Sequence, residues 1–204
     1  MKMNFKVIFR YFIFMVSLSP LGILITRAFT DHLGANPVEK ITHFTGSWTL
    51  KFILIALCVT PLKNIISVVF KWYWTDYTRT RRMLGLFAFF YACLHFLAYV
   101  ALDRFFDFHD ISKDIAKRPY ITVGFTAFVL LIPLAVTSTK KMQKRLGKNW
   151  KRLHRIIYLI AVFAVIHFYW LVKADKRWPI IYGIILMVVF VLRILFQMFV
   201  RKKY

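Results

Sequence analysis

Residues 83–102 read MLGLFAFFYACLHFLAYVAL, twenty consecutive residues that include no acidic side chain, no lysine or arginine, and one histidine, His95. At about 1.5 Å of rise per residue, an α-helix of this length spans the roughly 30 Å hydrocarbon core of a bilayer. Five further apolar runs occupy residues 7–28, 46–62, 120–138, 156–172 and 178–200. The sequence therefore predicts an all-α integral membrane protein, a bundle of six transmembrane helices that forms one domain over residues 1–204.

The composition argues against an ordinary soluble domain. Of the 204 residues, 60% are hydrophobic and 19% aromatic, yet the formal net charge is +22. Because the basic residues stand in short loops between the apolar runs, the charge indicates membrane topology and contact with anionic lipid rather than nucleic-acid binding. Cys58 and Cys93 lie inside apolar runs without metal-binding spacing, so we interpret them as small core residues.

The charges of the loops alternate along the chain. Lysine and arginine are concentrated in both tails, in residues 63–82 and in residues 139–155, which hold eight basic residues and no acid. The other loops hold seven of the eight acids: Asp31, Glu39, Asp103, Asp107, Asp110, Asp114 and Asp175. By the positive-inside rule, this alternation predicts that the N- and C-termini are cytoplasmic.

Proline and charged residues interrupt the second and the last apolar runs. Pro61 and Lys63 interrupt the second run early. We therefore expect residues 65–74 to form a short amphipathic or interfacial piece, with aromatic side chains at the headgroup level. Those aromatic residues are Trp72, Tyr73 and Trp74. Arg193 lies inside the last run, and we expect it to extend towards one end of its helix.

The histidines in the apolar runs are the residues that most strongly indicate a function, because an ionisable side chain in a bilayer is costly and usually has a role. His95 lies twelve residues past Met83, and His167 lies thirteen residues past His154. These steps correspond to about 18 and 20 Å of helix rise from the same predicted side. Two imidazoles at one depth are what bis-histidine haem ligation requires. The alternative is that His95 makes a hydrogen bond to a neighbouring helix.

His154 has two open interpretations. It lies at the predicted cytoplasmic edge, either as an interfacial anchor or as a ligand for a second haem or another cofactor. On a straight helix it would not share a face with His167, since thirteen residues turn the helix by about 220°. At the matching depth the third run offers Arg81 and Arg82, which suit a haem propionate or a phosphate but not iron. The remaining histidines, His32, His43 and His109, are expected to be solvated loop residues.

No nucleotide-binding motif and no carboxylate inside an apolar run is present, so nicotinamide chemistry would have to come from another protein. The basic stretch 145–152 is typical of a loop on anionic lipid, or alternatively of a docking site for a flavin phosphate or an acidic reductase. Two rival functions stay open. One is a small membrane transporter with polar histidines, although the missing carboxylate counts against it. The other is a transmembrane ferric or cupric reductase.

Several short stretches resemble one family in their order along the chain. They are TPL (60–62), RRMLGL (81–86), LH (94–95), RPYITVG (118–124), AVTS (135–138), RLGKNW (145–150), LHR (153–155) and IHFYW (166–170). With six spans and this loop charge, the chain resembles the haem-binding membrane subunits of the bacterial periplasmic methionine-sulfoxide reductase system. These subunits fall within the wider ferric-reductase-like transmembrane group.

The resemblance implies a b-type cytochrome of the bacterial inner membrane with one or two haem b groups and an associated FMN. Electrons would come from the quinone pool or a cytosolic flavin reductase. They would go to a periplasmic molybdopterin methionine-sulfoxide reductase, on which the catalysis is expected. His95, His154 and His167 match the family's haem-associated histidines. The wider group usually has two histidines on each of two helices, whereas here the position fourteen before His95 is Arg81.

Overall fold

The computed structural model describes residues 5–69 and 77–202, which form nine α-helices, a π-helical turn (Tyr99–Asp103) that continues α3, and one 3-10 turn. The α-helices are α1 (Phe5–Phe29), α2 (Pro37–Val69), α3 (Tyr77–Ala98), α4 (Phe108–Lys117), α5 (Pro119–Val136), α6 (Lys140–Leu146), α7 (Lys148–Leu153), α8 (Ile157–Leu171) and α9 (Arg177–Lys202). These residues include no strand, and six helical segments are long and apolar enough to cross a membrane. The prediction of an all-α, multi-pass membrane protein is confirmed.

The core lies between α2 and α3, which make the most extensive contact in the bundle, followed by α5 and α8. Phe52 of α2 stacks on Tyr91 and Phe87 of α3, with ring centres 5.3 and 5.8 Å apart. Many large apolar side chains on the outside are exposed, as expected where the solvent is lipid. We call the end that holds residues 139–156 the basic end, and the end that holds residues 103–118 the acidic end.

Helix α2 differs from its prediction. It begins at Pro37, nine residues before the predicted start, and continues through Pro61 to Val69. The start is capped by Asn36, whose side-chain oxygen accepts from the Glu39 amide at 3.3 Å. The expected break at Pro61 is wrong, because a transmembrane helix tolerates proline when neighbouring groups satisfy the freed backbone. The predicted interfacial aromatics at 72–74 lie outside the described residues.

The segment between α5 and α8 is not an irregular loop. Thr139 caps α6 by accepting from the Met142 amide at 3.2 Å. Gly147, with φ of 51°, then joins α6 to α7. A short 3-10 turn, His154–Ile156, connects α7 to α8. His154 and His167 therefore do not lie on one straight α-helix, and the rotation of about 220° calculated for a straight helix does not apply to them.

A proline inside α1 is bridged by a tyrosine from α3. The hydroxyl of Tyr91 accepts from the Leu21 amide and donates to the Ser17 carbonyl, each at 3.0 Å. This hydroxyl therefore stands between two groups that would bond directly in a regular helix, next to Pro20. Tyr91 is fully buried, so it fastens α1 to the core.

We expect the substitution Tyr91→Phe to destabilise the protein by about 1–3 kcal/mol, because it leaves a part-buried amide and a buried carbonyl without their partner. The free energy of unfolding in mixed detergent, followed by circular dichroism, measures the effect. Tyr169→Phe is the matched control, since Tyr169 is exposed and its aromatic contact with Lys176 is retained by phenylalanine. Equal stability of the two variants would contradict the bridging role.

Candidate functional site

His95 of α3 and His167 of α8 lie next to each other near the acidic end. Their ring centres are 6.1 Å apart and their planes are inclined at 74°. An imidazole nitrogen binds a metal ion at about 2 Å, and the ring centre lies about 1 Å behind that nitrogen. Two imidazoles on opposite sides of one metal ion therefore have ring centres about 6 Å apart. The observed spacing fits a pair of axial ligands.

A backbone carbonyl of a neighbouring helix holds each imidazole. Nδ1 of His95 donates to the Thr42 carbonyl at 2.9 Å, and Nδ1 of His167 donates to the Tyr120 carbonyl at 2.6 Å. Because a carbonyl only accepts, Nδ1 carries the proton and Nε2 keeps its lone pair. Metal-binding histidines are typically held in this way through their second nitrogen.

A cavity of about 260 Å³ lies between α2, α3, α5 and α8, and both imidazoles line it. Helix α3 contacts α2 and α5, and α8 contacts the same two helices, so α3 and α8 lie on opposite walls. The lining is largely apolar, with side chains that include Leu50, Ile53, Phe128, Leu131, Ile160 and Phe168. An apolar cavity with a few convergent polar groups is typical of a cofactor site.

Two imidazoles do not by themselves complete the coordination of a free metal ion. Within residues 5–69 and 77–202, no group of three or more His, Cys, Asp or Glu side chains could hold a metal ion. The pair therefore suits a metal whose other ligands come from a cofactor. A haem has this property, because its porphyrin supplies four ligands and leaves two axial positions for the protein.

Charged and hydroxyl groups surround the acidic-end mouth of the cavity. The carboxylate of Asp114, 8% exposed, accepts from the Tyr99 hydroxyl at 2.9 Å, from Arg104 at 2.5 Å and from Arg118 at 3.1 Å. Arg118 also donates to the Tyr120 hydroxyl, and this bond together with the Asp114 charge raises the pKa of the guanidinium. Arg118 also lines the cavity, where its guanidinium N–H groups that are not bonded to Asp114 or Tyr120 can receive a carboxylate of a ligand.

His154 lies near the basic end, far from the pair formed by His95 and His167. Its Nδ1 donates to the Trp150 carbonyl at 3.1 Å, and its ring stacks on the Trp150 indole with centres 3.9 Å apart. By the same argument, Nε2 keeps the lone pair. That atom is buried and forms no hydrogen bond by geometry, although the Leu134 backbone lies close to the ring. A buried polar atom without a partner is costly, so this nitrogen is suited to a ligand.

Arg81 and Arg82, the other predicted site residues, lie half-buried in the second turn of α3. The Arg81 guanidinium lies within electrostatic range of His154 and of Arg193. The structure thus brings Arg81 and His154 into one region at the basic end. No hydrogen bond or ion pair of Arg82 with His154 occurs within the described part of the chain.

Arg193 is a polar residue whose position the sequence did not reveal. Contrary to the prediction, its side chain does not extend towards an end of the helix. It reaches inward and donates to the Tyr158 hydroxyl and to the Leu57 carbonyl, each at 2.6 Å. Its Nε is buried without a partner, as is the Thr60 hydroxyl one turn beyond Leu57. A buried guanidinium adds positive charge to the same half of the bundle as His154. In the sequence, the one sign that Arg193 has an inward-facing role is that its charge interrupts an otherwise apolar run.

The remaining histidines divide into two groups. His32 and His109 are exposed, as expected. His43 is also exposed, but like His109 it lies in a helix rather than a loop, and of the three it is the one that lines the cavity next to the His95 and His167 pair. The early start of α2 accounts for the difference, since the sequence placed this helix from residue 46 onward.

The chain is similar to characterised families over most of its length. The family described as "Ferric reductase like transmembrane component" matches residues 45–165. A protein of Herminiimonas arsenicoxydans is 50% identical over 194 residues, which are 94% of this chain and 86% of that protein. Proteins of Caulobacter vibrioides (45% identical, 89% of this chain and 84% of the relative) and Rhodospirillum rubrum (49%, 87% and 83%) are also similar. Each of the three is named "Protein-methionine-sulfoxide reductase heme-binding subunit MsrQ".

The chain belongs to the MsrQ family. As a member of this family it is a ferric-reductase-like, multi-pass membrane protein, in agreement with the six apolar helices. The matched region of the wider family includes His95 and His154, and it ends two residues before His167. The MsrQ relatives cover the chain more fully than that region does.

Proposed function

We propose that this MsrQ-family chain is the electron-transfer subunit of a methionine-sulfoxide reductase system. Residues 1–204 would form one haem domain, and the reduction of methionine sulfoxide would take place on a partner. The observation that carries the proposal is the pair His95 and His167, whose ring centres are 6.1 Å apart in an apolar cavity. The names of the relatives, which specify heme binding, support the same conclusion.

Haem b, when bound, would supply reversible one-electron chemistry. Nε2 of His95 and Nε2 of His167 would hold the iron. The carbonyls of Thr42 and Tyr120 would keep the proton on Nδ1 and make each Nε2 a stronger donor. Arg118 at the mouth of the cavity would receive a propionate while its bond to Asp114 keeps it in place.

A second haem would be held near the basic end by His154. Its unpartnered Nε2 and its orientation by Trp150 support this role. Arg81, with Arg82 beside it, would receive propionates or stand at the position where the wider group has a histidine. Arg193 would add a positive charge that favours the reduced form of a nearby centre.

The direction of transfer follows from the loop charges. We place the basic end in the cytoplasm and the acidic end in the periplasm of a bacterial inner membrane. The donor would be quinol or a cytosolic flavin reductase, and the acceptor a periplasmic molybdopterin methionine-sulfoxide reductase. FMN, which the resemblance implies, would be a further cofactor, and none of the residues named above is assigned to it.

The absorption spectrum of the protein in mild detergent tests the proposal. We expect a Soret band and sharp α and β bands after dithionite reduction, with about two haems per chain by pyridine haemochrome. A count of one haem per chain would contradict the proposed haem-binding role of His154. A chain that stays colourless when it is produced with added haem would contradict the proposal and favour a transporter. Fast reduction of ferric chelates without the methionine-sulfoxide reductase would favour a ferric reductase.

A further inference from the structure

Two glycines stand at matching positions beside the histidine pair. Gly46 follows Thr42 by four residues in α2, and Gly124 follows Tyr120 by four residues in α5. Thr42 and Tyr120 are the residues whose carbonyls accept from the imidazoles. Residues four apart lie one above the other on a helix face. An imidazole that is bonded to the first carbonyl therefore lies over the glycine one turn later.

Each glycine leaves room that its histidine occupies. A Cβ atom on Gly46 would lie 2.9 Å from Cε1 and 3.0 Å from Nδ1 of His95. A Cβ atom on Gly124 would lie 2.5 Å from Nδ1 and 2.8 Å from Cε1 of His167. Such distances are well below the 3.5–4.0 Å of an ordinary carbon contact, so the ring would have to move.

The other helical glycines have no such neighbour. Apart from the backbone of its own helix turn, no atom lies within 4 Å of a Cβ placed on Gly22 or Gly85, and Gly183 would meet Val165 at an ordinary 3.7 Å. Among the glycines within helices, the close approach is therefore confined to the two that face the histidine pair. In both cases the glycine and the histidine come from different helices, α2 with α3 and α5 with α8.

We infer that Gly46 and Gly124 are positioning residues that, with the carbonyls of Thr42 and Tyr120, form two equivalent seats for the imidazoles of His95 and His167. A seat consists of the carbonyl of one residue and the glycine four residues later. The bare glycine lets the ring lie flat enough against the helix to reach the carbonyl. The inference rests on the proposed function, since it concerns how the haem ligands are aimed.

Alanine in a seat has a defined consequence. Its methyl group displaces the ring, lengthens the bond from Nδ1 to the carbonyl and weakens the donation of Nε2 to iron. The loss of such an outer partner typically lowers metal affinity by about 10–100-fold. Gly124→Ala is expected to have the larger effect, because its Cβ would approach the ring more closely than that of Gly46→Ala.

Haem titration of the full chain in detergent tests the inference. We expect Gly46→Ala and Gly124→Ala to bind haem about tenfold more weakly or worse. We also expect the midpoint potential of the remaining haem to rise, because a weaker donor stabilises ferric iron less. Gly22→Ala and Gly183→Ala are the controls, since alanine fits at both positions. Alanine is also the better helix former, so the effect of a seat variant does not arise from helix propensity.

A double variant separates positioning from general packing. Once His95→Ala has removed the ring, a methyl group at position 46 has space, so Gly46→Ala should not lower the thermal stability further. A further loss in that background would overturn the inference, as would seat variants that match the controls in haem affinity and potential. Absence of haem from the unmodified chain would instead overturn the proposed function.

Discussion

His95→Ala and His167→Ala are each expected to remove the haem that is held near the acidic end. Each imidazole supplies one of two axial bonds, and each is fixed in its ligating tautomer by a carbonyl, at 2.9 Å for His95 and 2.6 Å for His167. We expect one axial imidazole to be insufficient to hold the haem in this largely apolar cavity. Pyridine haemochrome analysis should show a loss of about half the haem if the chain binds two groups.

The matched controls for these variants are His32→Ala and His109→Ala, which remove exposed histidines at the same end of the bundle. They should keep the full haem content. His43→Ala is not a suitable control, because His43 lines the cavity. Circular dichroism should show native helix content in every variant. Full haem content in both His95→Ala and His167→Ala would show that the pair does not bind iron.

His154→Ala is expected to have the second largest effect. It should leave the absorption bands of the acidic-end haem intact, since Thr42, Tyr120 and their histidines lie elsewhere in the bundle. It should remove the haem at the basic end and slow reduction from that side by about tenfold or more. Stopped-flow reduction of the chain in liposomes, with a membrane-impermeant donor at the basic end, measures the rate.

Arg155→Ala serves as the neighbouring control, because Arg155 is exposed and its removal changes the surface charge rather than the buried nitrogen. Its reduction rate should stay close to that of the unmodified chain. If His154→Ala keeps both the haem count and the reduction rate, then His154 is an interfacial residue that anchors its helix. The stacking on Trp150 at 3.9 Å would in that case be its main interaction.

The sequence identified the membrane helices well, because each needs about twenty apolar residues and such runs are visible directly. It also predicted that His95 and His167 lie at one depth and are suited to form a ligand pair, since helix rise converts residue number into depth. It failed at Pro61 and at the start of α2, where tertiary contacts rather than apolar length set the ends of the helix. It misplaced Arg193, because the direction of a long side chain depends on which helix packs beside it.

The sequence by itself determined the number of spans, the charge of each end and the depth of each histidine, because these depend on local composition and on the fixed geometry of a helix. Tertiary structure alone decided which carbonyl receives each imidazole, that Gly46 and Gly124 lie beneath the rings, and that Nε2 of His154 is left unpartnered. These features depend on the rotation and contact of helices that are distant in sequence, which composition and periodicity do not specify.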